Sequence, residues 1–227
     1  MDMSMDATTL ECIEIQTGPN PTRAVIWLHG LGADGNDFAP IVPELDLDSL
    51  PPVRFLFPHA AIRPVTVNNG MAMRAWYDIF SPDLVRQEDE TGIRQSEHAI
   101  RALIARENVR GIACEQIVLA GFSQGSAMTL HTGLRLDETL AGLVALSGYL
   151  PLQDKFAAER KPANHDTPIL MAHGTMDPVV AIERGEASRD HLLELGHDVT
   201  WKTYPMPHSV CPEEIDDIAA FLQQVLK

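Results

Sequence analysis

Short apolar runs alternate with helical patterns along most of the chain. The runs end at Gly, Pro or Ser, and the middle ones are apolar almost throughout, which is typical of parallel strands covered on both faces. The predicted strands are LECIEIQ, RAVIWLHG, VRFLFPHA, QIVLAGF, LAGLVALSG, TPILMAHG and DVTWKTYP. The first of these alternates apolar and polar residues, which predicts an edge strand near the start of the chain.

Four stretches between or after these strands have helical periodicity. They are TGIRQSEHAIRALIARENVR, SAMTLHTGLRL, VVAIERGEASRDHLLELG and CPEEIDDIAAFLQQVLK. The first places Ile93, Ile100, Leu103 and Ile104 along one stripe, as in a helix with one buried face. The third ends at Gly196, a predicted C-cap, and the last begins with Pro and two acids that suit a helix N-terminus.

The alternation of strands and helices predicts a single α/β domain over residues 1–227. We expect a mostly parallel central sheet flanked by helices on both faces. No long insertion separates the later strands and helices, so a large lid domain is not expected. The predicted irregular part is residues 58–92, which is rich in Pro, Asn and Asp. It carries Trp76 and Tyr77, so we expect this segment to pack over another part of the domain.

The charge and the cysteines narrow the class of protein. The formal charge at pH 7 is -15, which argues against a nucleic-acid-binding surface because such a surface must neutralise phosphate. Three scattered cysteines form neither a disulfide framework nor a zinc motif, and indicate a reducing compartment. The acidic start does not resemble a signal peptide, and no apolar run approaches the ~18 residues of a membrane span. We expect a cytoplasmic protein without stable membrane insertion.

The stretch IVLAGFSQGSAM places Ser123 between two glycines, directly after a predicted strand and before a helical pattern. It matches G-x-S-x-G, and in a strand–turn–helix elbow the glycines prevent clashes between neighbouring elements. The serine hydroxyl then projects at the C-terminal edge of the sheet, where helix N–H groups favour negative charge. The alternative is an ordinary glycine-rich turn, but the strand-to-helix context favours a nucleophile.

A serine nucleophile needs a base, and the base needs an acidic partner. Enzymes with this elbow carry them in the chain order Ser, Asp or Glu, His. Asp177 and His208 follow that order, and each lies in a loop after a predicted strand, at the same sheet edge as Ser123. His29 precedes Ser123, and His173 precedes Asp177. We therefore interpret these two as structural histidines that bond to loop backbone.

Acyl transfer places negative charge on the carbonyl oxygen of the substrate, and backbone N–H groups must stabilise it. One donor is expected at Gln124, the residue after the nucleophile, and the other in the loop after an early strand. The loop WLHGLGADGNDF fits this role because its glycines let the backbone approach a ligand. We assign the N–H of Leu31 as the second donor; the alternative is a glycine-rich turn without function.

Four motifs in this order, LHGLGADGND, GFSQGSA, HGTMDPVV and PHSVCPEE, resemble the carboxylesterase and acyl-protein thioesterase family of small α/β-hydrolases. The stretch NNGMAMRAWYDIF resembles that family's aromatic loop. The resemblance covers nearly the whole chain and implies the α/β-hydrolase fold. The residues it implies for the site are the triad Ser123, Asp177 and His208, the oxyanion donors Leu31 and Gln124, and a groove wall of Trp76 with Leu31.

The chain departs from this family's pattern at three places. Pro207 precedes the triad histidine where many members have Gly, and Ser126 also stands where many have Gly. Arg74 and Ala75 stand where many have Pro-Ser. Arg74 adds a charge beside the aromatic pair, which bears on the substrate preference.

The resemblance implies hydrolysis of carboxylic esters or thioesters through an acyl-enzyme on Ser123, without a metal or an organic cofactor. Small-molecule esters, S-acylated proteins and lysophospholipids all fit an apolar groove. The natural substrate, the acyl chain length and the oligomeric state, including a homodimer, therefore stay open. Two other classes are a non-catalytic protein that binds a hydrophobic ligand, against which the intact triad argues, and an acyltransferase, whose acceptor must outcompete water.

Overall fold

A central sheet with helices on both faces forms the fold, as seen in a computed structural model that describes residues 10–81 and 88–227. The strands in these ranges are β1 (Cys12–Gln16), β2 (Arg23–Leu28), β3 (Val53–Pro58), β4 (Ile62–Val65), β5 (Met71–Arg74), β6 (Ile117–Phe122), β7 (Gly142–Leu146), β8 (Ile169–Gly174) and β9 (Val199–Tyr204). The α-helices there are α1 (Glu90–Val109), α2 (Gln124–Gly133), α3 (Gln153–Glu159), α4 (Ile182–Glu194) and α5 (Pro212–Val225). The acidic start of the chain lies outside the described residues.

The strand order of the main sheet is β1-β3-β2-β6-β7-β8-β9. Only the β1–β3 pair is antiparallel among the pairs of this sheet in the described ranges, and the others are parallel. The predicted α/β class with a mostly parallel sheet is confirmed. β1 lies at the edge, as its alternating pattern predicted, and the inner strands are buried along their lengths because helices cover both faces.

Alternate residues of β2 contribute to two separate hydrophobic cores. Ile26 points to the core that contains Ile100 of α1, together with residues of α2, α3 and α4. Trp27 points to the opposite core, which contains Leu222 of α5. The prediction of helices on both faces is thereby confirmed, and so is the buried stripe of α1. None of the helices in the described ranges is long and apolar enough to cross a membrane.

The segment 58–92 is less irregular than the sequence indicated. β4 and β5 pair as an antiparallel hairpin, separate from the main sheet, and α1 already begins at Glu90. The turn uses Asn69 and Gly70, whose φ values of 56° and 73° are left-handed. These short strands were not predicted because they lack an apolar alternation and β4 contains Pro64. Residues 82–87 of the segment lie outside the described residues.

Glu214, in the first turn of α5, is a fully buried acid. Burial away from water raises the pKa of the Glu214 carboxyl to about 8, and the nearby Asp217 carboxylate contributes to the rise. The neutral acid is therefore the form that fits the folded protein at neutral pH.

We expect Glu214→Gln to stabilise the protein above pH 8 and to change little near pH 5. The folded protein keeps this proton up to about pH 8, whereas the unfolded chain releases it near the ordinary pKa of 4.5. The bound proton therefore stabilises the folded protein fully below pH 4.5, and this stabilisation is lost as the pH rises from 4.5 to about 8. Thermal melting of both proteins near pH 5 and pH 9 measures the effect, and an equal Tm difference at both would contradict it.

Candidate active site

Ser123 lies between the end of β6 and the first residue of α2, in a strained backbone conformation. Its φ of 55° and ψ of -116° lie outside the regions that side-chain-bearing residues normally occupy. Its N–H donates to the carbonyl of Leu146 on the neighbouring strand over 2.8 Å, and its own carbonyl accepts from Ala127 in α2. The sheet and the helix together hold this conformation, so the strand–turn–helix elbow predicted from the sequence is present.

The elbow requires glycine at positions 121 and 125, because neighbouring backbone leaves no room for a side chain. A Cβ at Gly121 would lie 2.3 Å from the carbonyl oxygen of Gly125. A Cβ at Gly125 would lie 2.1 Å from the carbonyl oxygen of Leu28 at the end of β2. The close approach brings the loop after β2 against the start of α2, which places the two predicted oxyanion donors on neighbouring loops.

Asp177 and His208 lie together, although 31 positions separate them along the chain. The Nδ1 atom of His208 donates to Oδ2 of Asp177 over 2.6 Å. The other carboxylate oxygen, Oδ1, accepts from the N–H groups of Val179 and Val180 over 2.8 and 2.9 Å. The Asp177 side chain is fully buried, so these bonds fix both oxygens and orient the imidazole.

The loops that carry Asp177 and His208 pack directly against each other at the ends of β8 and β9. The N–H of Met176 donates to the carbonyl of Met206 over 3.1 Å. A Cβ at Gly174 would lie 2.4 Å from the same carbonyl oxygen, so this contact requires glycine. The imidazole of His208 also packs against Phe122, the residue before Ser123, with 4.6 Å between ring centroids and 43° between the ring planes. The structure thus brings His208 beside the elbow.

His29 and His173 are both buried and bonded to backbone. The N–H of Ala60 donates to Nε2 of His29 over 3.0 Å, so the proton of this ring sits on Nδ1, which donates to the Gly30 carbonyl. Nε2 of His173 donates to the Val180 carbonyl over 2.8 Å. Burial lowers the pKa of both imidazoles, which favours their neutral forms. These contacts agree with the structural interpretation of both residues.

Leu31 and Gln124, the predicted oxyanion donors, line the same cavity as Ser123. Gln124 is the first residue of α2, so its N–H is one of the amides that have no partner within the helix. Leu31 follows Gly30, where a Cβ would lie 3.5 Å from Cβ of Ser123. Both residues are therefore close to the serine, one on the loop after β2 and the other at the start of α2.

The cavity beside Ser123 has a volume of about 250 Å³ and is lined mostly by apolar side chains. Its walls come from the loop after β2, the segment between β4 and α1, the loop after β7, and the loop that carries Asp177. The lining residues are Leu31, Val67, Asn68, Tyr77, Ile79, Ser123, Gln124, Tyr149, Val179 and Val180. The hydroxyls of Tyr77 and Tyr149 share a hydrogen bond of 2.9 Å.

The structure places Trp76 in the core and not on the cavity wall, which differs from the expected groove residue. Trp76 is 1% exposed, and its indole N–H donates to the carbonyl of His29 over 2.9 Å. A large ring with a polar N–H is well suited to this position, because its apolar surface is buried and its N–H has a hydrogen-bond acceptor. The next residue, Tyr77, lines the cavity instead. Arg74 is directed elsewhere, because its guanidinium donates to the Ala60 carbonyl.

Sequence reasoning missed most of the cavity wall. Val179 and Val180 follow Asp177 directly in the HGTMDPVV motif, so their proximity to the site was available from the sequence. Tyr149 lies just after β7, at the same sheet edge as Ser123, which is a second available signal. Val67 and Ile79 gave no such signal, because they belong to the segment that was predicted to be irregular.

Comparisons with known proteins show which family the chain resembles. A family model described as Phospholipase/Carboxylesterase matches residues 10–226. Acyl-protein thioesterase 1 of Gibberella zeae is 44% identical over 214 residues, which cover 90% of this chain and 91% of the relative. The protein of the same name from Neurospora crassa is 46% identical, over 90% of this chain and 87% of the relative.

Two solved structures of plant proteins resemble the fold closely. Arabidopsis thaliana SOBER1 superposes with a TM-score of 0.86 and 34% identity, over 90% of this chain and 99% of that chain. Zea mays acyl-protein thioesterase 2 superposes with a TM-score of 0.83 and 27% identity, over 95% of this chain and 99% of that chain. The resemblance therefore covers nearly the full length in both sequence and structure.

Proposed function

Because the chain belongs to the phospholipase/carboxylesterase family of α/β-hydrolases, we propose that it acts through an acyl-enzyme on Ser123, with His208 as base and Asp177 as its partner. The protein is a serine hydrolase of carboxylic esters or thioesters. The observation that carries the proposal is the 2.6 Å bond between His208 and Asp177, beside the strained elbow of Ser123. The chain order and the shared sheet edge support the same assignment.

In the first half of the reaction, Ser123 attacks the carbonyl carbon of the substrate. His208 accepts the hydroxyl proton at Nε2, because its Nδ1–H is already bonded to Asp177. The negative charge that forms on the carbonyl oxygen is stabilised by the N–H groups of Leu31 and Gln124. The tetrahedral intermediate then breaks its bond to the leaving thiol or alcohol, which takes the proton from His208.

In the second half, water replaces the leaving group. His208 removes a proton from water, and the hydroxide attacks the carbonyl carbon of the acyl-Ser123 ester. The same two N–H groups stabilise the second oxyanion. When the bond to Ser123 breaks, His208 returns its proton to the serine hydroxyl, and the carboxylic acid leaves. The Asp177 carboxylate stabilises the imidazolium that forms in each half.

For the natural substrate we propose an S-acylated protein. Two relatives at 44% and 46% identity are named acyl-protein thioesterase 1. The cavity beside Ser123 offers apolar surface to an acyl chain. The competing activities are lysophospholipid hydrolysis and hydrolysis of simple esters. A protein that only binds a hydrophobic ligand would need neither the strained serine nor the ordered Asp177–His208 pair.

We further propose that the chain works as one domain in the cytoplasm. Cys12, Cys114 and Cys211 are all free thiols, and burial raises the pKa of Cys12 and Cys114, which keeps them protonated and unreactive. Unpaired cysteines of this kind are typical of a reducing compartment.

A matched peptide pair tests the substrate proposal. One peptide carries an S-acyl cysteine, and the other carries the same acyl group on serine. We expect kcat/KM to be at least about 10-fold higher for the thioester, because a thiol with a pKa of about 8.5 leaves more readily than an alkyl alcohol. A lysophospholipid with the same acyl chain should be slower still. A lysophospholipid that exceeds both peptides would identify a lysophospholipase instead.

The same assay across acyl chains of two to twelve carbons tests the cavity. Ile79→Ala should lower kcat/KM progressively with chain length and leave the acetyl substrate almost unchanged, because Ile79 lines the wall. Each fully buried CH₂ contributes about 0.8 kcal/mol, or about fourfold in kcat/KM. Ile62→Ala is the matched control, since Ile62 is 66% exposed on β4 and does not line the cavity. If the plots of kcat/KM against chain length are parallel for Ile79→Ala and the parent, Ile79 does not contact the acyl chain.

A further inference from the structure

Residues 74–77, which we call the strap, lead from the last residue of β5 to Tyr77 in the wall of the cavity. Two hydrogen bonds join the strap to the loop after β2. The N–H of Gly32 donates to the Arg74 carbonyl over 2.9 Å, and the indole N–H of Trp76 donates to the His29 carbonyl over 2.9 Å. These bonds lie on either side of Leu31 along the chain, so the strap fixes the loop segment that carries the proposed donor Leu31.

Two further hydrogen bonds join the strap to the elbow, and both use the side-chain amide of Gln124. The backbone N–H of Trp76 donates to Oε1 of Gln124 over 2.8 Å. Nε2 of Gln124 donates to the Tyr77 carbonyl over 2.8 Å. Gln124 is 3% exposed, so both ends of its amide are satisfied by the strap in a position that water hardly reaches.

We propose that the strap sets the distance between the two N–H groups of the oxyanion hole, with Trp76 and the side chain of Gln124 as positioning residues. This inference rests on the proposed function. Gln124 contributes its backbone N–H to the oxyanion and its side chain to the strap, and Trp76 connects that side chain to the carbonyl of His29. The loop after β2 and the elbow are thereby tied to one rigid segment.

The spacing matters because oxyanion donors act over a narrow range. A donor must lie about 2.7–3.1 Å from the oxyanion, and a displacement of about 1 Å can cost about 100-fold in rate. Three of the four hydrogen bonds, those of the Trp76 N–H, the Trp76 indole and the Gln124 amide, are buried, and a buried donor or acceptor is costly to leave unpaired. The strap therefore resists small movements of either loop in the absence of substrate, as a preorganised site requires.

The competing explanation is that Trp76 and Gln124 only anchor the segment between β5 and α1. Ser96 of α1 separates the two explanations, because its hydroxyl donates to the Trp76 carbonyl, an atom that takes no part in the bonds of Trp76 to His29 and Gln124. Removing that bond loosens the anchor and leaves the connections to His29 and Gln124 in place. Ser96→Ala is therefore the matched control for an anchoring role.

The test uses the full chain with Gln124→Met, Trp76→Phe and Ser96→Ala. Gln124→Met keeps the backbone N–H and the side-chain length but removes both amide bonds. Trp76→Phe removes the indole donor and part of the ring volume, and keeps an aromatic ring at this buried position. Each should lower kcat for an acetyl ester about 10- to 100-fold with KM changed less than about threefold. Each should also weaken a methylboronic acid, whose serine adduct carries the tetrahedral geometry, by a similar factor. Ser96→Ala should lower Tm and leave kcat within about twofold.

Gln124→Glu adds a test by protonation. Its kcat should recover as the new carboxyl group gains a proton, which is not expected if residue 124 only fills space in the packing. A protonated carboxyl group can accept from Trp76 and donate to the Tyr77 carbonyl, as the amide does, whereas a carboxylate cannot donate. The ratio of kcat between Gln124→Glu and the parent should therefore rise as the pH falls, measured at saturating substrate where both proteins are folded.

The outcomes separate this inference from the proposed function. If a fluorophosphonate does not label Ser123 in the parent, the proposed function fails and the inference fails with it. If the parent is labelled, but Gln124→Met and Trp76→Phe lower only Tm, as Ser96→Ala does, the strap is an anchor and only the inference is overturned. A selective loss of kcat and boronate affinity in these two variants, together with the pH-dependent ratio of Gln124→Glu, supports it.

Discussion

Ser123→Ala is expected to lower kcat for a p-nitrophenyl ester by about 10⁴-fold or more while the protein stays folded. The hydroxyl of Ser123 is the atom that forms the acyl-enzyme, and no other group on the elbow can replace it. Alanine has the same Cβ and meets the same strain at a φ of 55°, so the backbone has no new reason to change. Binding and the oxyanion donors remain and should account for the residual rate.

Ser126→Ala is the matched control for this prediction. Ser126 lies three residues later in α2, is fully buried, and its hydroxyl has no hydrogen-bond partner among the described residues. Its loss should change kcat by less than about twofold. Thermal melting of both variants shows whether they are folded. If Ser123→Ala retains more than a few per cent of the parent activity with its Tm unchanged, another residue is the nucleophile.

Asp177→Asn and His208→Ala are expected to be nearly as severe, about 10⁴-fold in kcat, whereas His173→Ala should cost about 10-fold at most. An asparagine can still accept from Val179 and Val180 through its oxygen, but it then presents N–H groups to Nδ1 of His208. That contact favours the wrong tautomer of the imidazole and removes the charge that stabilises the imidazolium.

The comparison between the two histidines is informative because both lie near the same carboxylate. Nδ1 of His208 is 2.6 Å from Oδ2 of Asp177, and Nε2 of His173 is 3.5 Å from it. His173 is closer to the Val180 carbonyl, so it supports the loop rather than the base. His173→Ala should mainly lower Tm. An equal loss of kcat in both histidine variants, with both proteins folded, would contradict the assignment of His208 as the base and His173 as a structural residue.

Much of the fold was predictable from the sequence because buried parallel strands leave continuous apolar runs. β2, β6, β7 and β8 are buried along nearly all of their residues and were found for that reason. The helix stripe of α1 was equally clear, since a 20-residue helix repeats its pattern several times. The β4–β5 hairpin was missed because its strands have only four residues each and pair outside the main sheet.

The candidate catalytic residues were predictable in a different way, from chain order and from their positions after strands. That reasoning does not extend to the cavity wall. Trp76 and Tyr77 are adjacent buried aromatic residues, only Tyr77 lines the cavity, and composition does not say which of the two does. The side-chain hydrogen bonds of Gln124 to the strap could not be predicted from the sequence either. They join residues that are 47 and 48 positions apart, and no local pattern indicates them.

The most direct test of the central claim is to trap the acyl-enzyme and locate it. The protein is mixed with a p-nitrophenyl ester, quenched in acid within the first turnovers, and digested for mass spectrometry. The account predicts one acyl group per molecule on Ser123, with none on Ser123→Ala and an unchanged adduct on Ser126→Ala. Turnover without any acyl group on Ser123, or with the acyl group on a different residue, would contradict it.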